Sequence, residues 1–187
     1  MNIFILSDCP KLSAEYMIDK HIVKMPTESL QMLSTILHHY AIPAPFKPVM
    51  LNHPCTIWAR KSYKNFNWLI DHCYALCNEY SLRYNRKHKV EEHMEKYEES
   101  LLECSKLLKE NSELEKCLTP FAQAMPDKYK DDDAIKAYRH YYLGDKWDIA
   151  TWKTGNPSWW PKDHIIKKKQ EQIIKFNKQF NANVPLE

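Results

Sequence analysis

Glycine is almost missing from this chain: Gly144 and Gly155 are the only two in 187 residues, against eleven prolines. A P-loop, a Gly-rich dinucleotide turn and a nucleophile elbow each need several glycines close together. Those nucleotide-fold chemistries are therefore excluded. An all-β barrel or sandwich is excluded as well, because its tight hairpins place Gly at positive φ. No apolar run approaches the ~18 residues of a membrane span. No basic-then-apolar leader is present either, since Ile3-Phe4-Ile5-Leu6 stops at Ser7 and Asp8. The expected location is the cytoplasm, with the six cysteines reduced and no membrane partner. No CxxC pair occurs; the nearest arrangement is His72, Cys73 and Cys77 on one helical face, which reads as core thiols. Neither a metal nor a cofactor is expected.

What the chain does have is core material, with 44% hydrophobic and 12% aromatic residues, enough to exclude wholesale disorder. The net charge of +3 is unevenly spread. Residues 47–89 hold eight Lys/Arg against two acids, and 136–178 hold ten against four, whereas 91–116 hold nine Glu against four Lys. That distribution suits a protein with one face toward an anion and another toward water.

Helical spacing dominates. Asp8 is the expected cap of a helix over residues 10–20, and Pro26 is expected to open a second, lined by Leu30, Leu33 and Leu37. A third is expected from about Thr56 to Tyr84, and a Glu/Lys-laced fourth over 90–117. Residues 119–132 read as irregular. Asp133 caps a helix through Tyr142 that Gly144 ends, and a basic final helix covers 163–180. Within residues 2–6, Ile3-Phe4-Ile5 reads as a short strand or as an extended segment packed on helices. The expected fold is mostly α, a single helical domain over 1–187 with the last helix as an appendage.

Three clusters carry possible chemistry. Around residues 19–31, Lys20, His21 and Lys24 precede Glu28, which reads either as a capping-box glutamate or as an ionised acid among cations. Asn52 and His53 stand beside Pro54 at a helix entry, with Arg60 following. Arg139, Tyr142 and Lys146, then Trp159 and Trp160, mix aromatics with cations as a nucleic-acid groove requires.

The runs DKHIVKMPTESLQML, NHPCTIWAR, LCNEYSLRY and AYRHYYLGDK resemble a small protein family common in bacteriophages. That family is distantly similar to pyrimidine dimer DNA glycosylases of the endonuclease V type. The resemblance implies a mostly helical DNA-binding enzyme that acts on a duplex with a base flipped out. Its N-terminal α-amine would attack the sugar C1′ of the damaged nucleotide, and an early glutamate would assist. Laid over this sequence, the family's histidine falls on His21 and its glutamate on Glu28. The amine would belong to Met1, because Asn2 is too large for removal of the initiator to be expected.

The chemistry fits the composition, since imine formation needs no metal and no Gly-rich loop. An α-amine titrates near ~7.7–8.0, against ~10.4 for Lys, so it is nucleophilic close to neutral pH. The expected arrangement is one cleft holding Met1 and Glu28, with His21 and Lys24 on its wall and Asn52 and His53 opposite. The competing reading is a non-enzymatic binder that sequesters a nucleotide or coats nucleic acid, in which Glu28 is only a cap. The oligomeric state is not legible.

Overall fold

The structure is a computed structural model and describes residues 1–186. Helices make up 60% of the chain, and no strand occurs among the described residues. They are α1 (Pro10–Glu15), α2 (Asp19–His39), α3 (Pro54–Arg60), α4 (Tyr63–Tyr84), α5 (Lys89–Lys96), α6 (Glu98–Glu110), α7 (Ala134–Asp145) and α8 (His164–Phe180). Short 3-10 turns cover Asp127–Tyr129 and Trp147–Ile149. The long helices α2 and α4 pack on each other, and α1, α3, α5 and α6 pack around them. Leu30, Leu33, Leu37, Phe66, Leu69 and Leu76 lie on the shared seam, all fully buried.

The amino-terminal segment is not a strand. Ile3, Phe4, Ile5 and Leu6 are all buried, so the side chains on both sides of the segment meet protein rather than one meeting water. Phe4 adopts φ +52°, which breaks the extended path, and no neighbouring strand offers a ladder. Side chains satisfy the backbone instead. Ile3 N–H and Phe4 N–H donate to Asn2 Oδ1, Leu6 N–H donates to Ser13 Oγ, and Arg139 donates to the Leu6 carbonyl.

Several helix boundaries also differ from expectation. Asp8 caps nothing; Cys9 occupies the N-cap of the short α1, without a side-chain bond. Pro26 does not open α2 but sits inside it, buried, seven residues after Asp19. The helix starts at Asp19 because a distant group closes its first turn: Asp19 N–H donates to the Thr151 carbonyl at 2.8 Å. Arg83, buried in α4, bonds Asp19 Oδ1 at 3.0 Å, Glu79 Oε1 at 2.7 Å and the carbonyls of Met17 and Glu15. One guanidinium thus fixes the α1–α2 corner onto α4.

The expected third helix is two, α3 and α4, parted at Ser62, whose hydroxyl accepts Lys64 N–H and caps α4 from an extended backbone. The expected fourth is likewise two, broken at Tyr97. Asp133 does cap α7, accepting Ile135 N–H and Lys136 N–H. Gly144 lies within that helix, where a Cβ would collide with the Tyr129 ring. Helix α8 has no buried residue; His164 at its start bonds the Leu143 carbonyl at 2.8 Å. No helix among the described residues is long and apolar enough to cross a membrane.

Candidate active site at the amino terminus

Asn2 is the anchor of the site. Its side chain is 8% exposed, and its Nδ2 donates to the Ala124 carbonyl at 2.7 Å. The Tyr138 hydroxyl of α7 stands 2.9 Å from both Asn2 Oδ1 and the Ala122 carbonyl, and accepts Ala124 N–H at 3.1 Å. A buried polar cage of this kind holds the first residues against the body instead of leaving them to fray.

From that anchor Asn2 N–H points at α2 and donates to Glu28 Oε2 at 2.9 Å. The other carboxylate oxygen, Oε1, takes the Lys24 ammonium at 2.9 Å, one helical turn back. Because α2 begins at Asp19, Glu28 lies in mid-helix, and the capping-box reading of it falls. The Met1 nitrogen is three covalent bonds from Asn2 N, at most about 3.8 Å away, which puts it within about 7 Å of the carboxylate. Glu28 keeps 13% of its side chain exposed and Met1 is half-buried, so the pair opens to solvent on one side.

His53 lies near both groups. As N-cap of α3 it accepts Cys55 N–H on Nδ1 at 3.2 Å, so in the neutral ring the proton sits on Nε2. Burial, and then the charge of the terminal amine, push its pKa below the ordinary histidine value; Glu28 and a bond to the Met1 backbone pull it back up. The ring therefore feels both the amine and the carboxylate. Cys55 lies beneath, fully buried, with burial pushing its thiol up to about 12. That thiol is not a nucleophile at neutral pH.

Other sequence candidates are dispersed. Lys20 and Lys24 are exposed on the same edge of α2. His21 is not on the cleft wall: its ring stacks on Phe4 at 4.2 Å, and Nδ1 lies 2.6 Å from the Tyr142 hydroxyl. Burial, helped by Lys146 and Lys24, lowers its pKa to about 3, so it is a neutral core group. Tyr142 is fully buried beside it, and Trp160, 4% exposed, packs edge-on against Trp152 and Trp159. Nucleic acid does not reach these three side chains in this conformation.

Asn52 is exposed in the turn before α3. Arg60 is half-buried and closes that turn by bonding the Leu51 carbonyl at 2.9 Å. Arg139 holds the Leu6 carbonyl and lies over the rings of Trp159, itself half-buried, and Tyr16. Lys146 sits at the end of α7 over the Tyr141 ring. Sequence reasoning did not single out Asn2, and it met Tyr138 only as part of the aromatic and basic run, not as the anchor of Asn2. The available signal was a lone amide leading an apolar run, a side chain that demands partners once its neighbours are buried.

Residues 1–92 match the family model described as pyrimidine dimer DNA glycosylase. That span contains Met1, Glu28 and His53 and runs from the first residue into α5; the Tyr138 and Ala124 anchors lie beyond it. No curated protein and no solved structure matches the chain. Over its first 92 residues the protein resembles, at a distance, the pyrimidine dimer DNA glycosylases.

Proposed function

We propose that the protein is a DNA glycosylase that removes a damaged or modified pyrimidine through an imine on the Met1 amine. The observation carrying this reading is the bond from Asn2 N–H to Glu28 Oε2, which joins the first peptide to an ionisable carboxylate at 2.9 Å. The match of residues 1–92 to the glycosylase family supports it.

In the proposed reaction the Met1 amine attacks C1′ of the target deoxyribose. The C1′–N glycosidic bond breaks, and the base leaves with the bonding pair and takes up a proton. The amine loses its protons as the sugar ring opens, leaving a C1′=N imine. Glu28 stabilises the positive charge that develops at C1′, and Lys24, paired with its other oxygen at 2.9 Å, holds the carboxylate's orientation. In a following β-elimination Glu28 takes the C2′ proton and the C3′–O bond breaks, which is the AP lyase step. Flipping the target out of a duplex gives the amine access to C1′. His53 is a positioning residue in this scheme, close enough to the amine and to Glu28 to be acted on by both.

The test is glycosidic-bond cleavage, read as formation of an abasic sugar, in duplex DNA carrying either a cyclobutane pyrimidine dimer or a modified pyrimidine. The intact protein should leave abasic sugars, and N-terminal acetylation should abolish their formation with DNA binding retained. Full activity after acetylation would overturn the proposal.

A further inference from the structure

A second feature lies on the other side of the α2 edge. A cavity of about 460 Å³ is lined by Thr27, Phe46, Tyr80, Val90, His93, the run Arg86-Lys87-His88 between α4 and α5, and Lys89 at the start of α5. It is held open by bonds rather than formed by loose side chains. His88 caps α5 through Nδ1, and its Nε2 donates to the Val23 carbonyl of α2 at 3.2 Å. Arg86 Nε donates to the Tyr80 hydroxyl at 2.6 Å, with its guanidinium over that ring at 5.4 Å. Phe46 and His93 meet edge to face at 5.3 Å on the far wall.

Charge is unevenly compensated there. Lys87 is engaged by Glu91 at 3.5 Å and Glu95 at 3.2 Å, the two carboxylates facing this loop. Arg86 and Lys89 make no ion pair among the described residues and are exposed. Two uncompensated cations therefore stand at the mouth of a preformed cavity. Around the edge of α2 the same sign continues: Lys20 and Lys24 are exposed, and Lys153 lies 4.9 Å over the Tyr84 ring next to Asp19.

Position decides what the cavity would bind. Thr27 of its lining immediately precedes Glu28, and Val23, which holds His88, immediately precedes Lys24. We propose that Arg86 and Lys89 bind a backbone phosphate of the DNA strand presented to Glu28. The inference rests on the glycosylase reading for the orientation of the strand.

The experiment is a salt titration of binding to undamaged duplex DNA, comparing the intact protein with Lys89→Gln and with Arg86→Gln/Lys89→Gln. A control replaces Lys106 and Lys109 on the acidic helix α6 by Gln. Lys89 has no side-chain partner, so its single variant reports on charge even if Arg86→Gln disturbs Tyr80. The double variant should lose about tenfold in affinity at low salt. Its slope of log K against log salt should become shallower by about 0.9, one phosphate. The control should bind as the intact protein does. Inorganic phosphate at matched ionic strength should not displace the DNA.

Unchanged affinity and slope in both pocket variants would overturn the proposal, as would displacement by inorganic phosphate, which would assign the cavity to a free phosphate compound. Binding to undamaged DNA does not require the Met1 reaction. A protein that binds with the predicted slopes yet breaks no glycosidic bond leaves this site standing and removes the glycosylase reading. The converse result removes the phosphate site alone.

Discussion

The Asn2 N–H donates to Glu28 Oε2 at 2.9 Å and ties the first peptide of the chain to the middle of a 21-residue helix. Two residues 26 positions apart meet because each is fixed from elsewhere. Asn2 is caged by Tyr138 and Ala124, and α2 is set in place by Arg83.

Tyr138→Phe tests the cage. It removes one hydroxyl that serves Asn2 Oδ1, the Ala122 carbonyl and Ala124 N–H, all within 3.1 Å. Leaving such groups buried and unpaired costs about 1–3 kcal/mol. Denaturant unfolding should show that loss, and DNA cleavage should fall with it because Met1 is no longer held.

Arg83→Ala tests the helix corner. The Arg83 side chain is wholly buried and faces two largely buried carboxylates, Asp19 and Glu79. Its removal leaves both charges without their partner, a loss of about 3–5 kcal/mol. Arg83→Lys should recover only part of it, since an ammonium does not reach four acceptors in a planar fork. Thermal unfolding of the two variants checks the order.

Acid should unfold the protein partly through its histidines. His21 and His72 are buried, and burial lowers their pKa values to about 3 and about 4. In the unfolded chain each takes up a proton near the ordinary ~6.5. Below that pH the unfolded state binds more protons than the folded one, so stability falls as pH drops toward 4 and is fully present above about 6.5. Each histidine contributes a slope of about 1.4 kcal/mol per pH unit in that window. His21→Gln should flatten the measured dependence by about one proton.

Glu28→Gln should separate stability from activity. The amide oxygen still accepts Asn2 N–H, and the lost partner, Lys24, is 68% exposed, so the ion pair is worth less than about 1 kcal/mol. Unfolding should shift little and duplex binding should persist. Glycosidic-bond cleavage should stop, because the charge that stabilises C1′ is gone.

Much of the helical class was legible from residue spacing. The seam positions Leu30, Leu33 and Leu37, and the Asp133 cap, are local signals and appear where their period and chemistry place them. What failed was non-local. Asp19 starts α2 because Thr151 and Arg83, 132 and 64 residues away along the chain, supply its partners, and Pro26 is then carried inside the helix. Ile3-Phe4-Ile5-Leu6 lacks alternation, so its sequence did not distinguish a strand from a segment buried on every side. Glu28 and His53 stood out as polar residues beside prolines. His21, Tyr142 and Trp160 stood out equally, and aromatic or imidazole rings next to cations do not reveal whether they face solvent or core.

The central claim is that the terminal amine is the nucleophile, and the most direct measurement is the attachment site of a reduced covalent intermediate. The protein is incubated with dimer-containing or abasic duplex DNA and borohydride, and the adduct is digested and sequenced by mass spectrometry. The intact mass of the untreated protein shows whether Met1 is retained. The account predicts a single sugar adduct on the α-nitrogen of Met1, lost on N-terminal acetylation. An adduct on a lysine side chain, or glycosidic-bond cleavage with no trappable adduct at all, would contradict it.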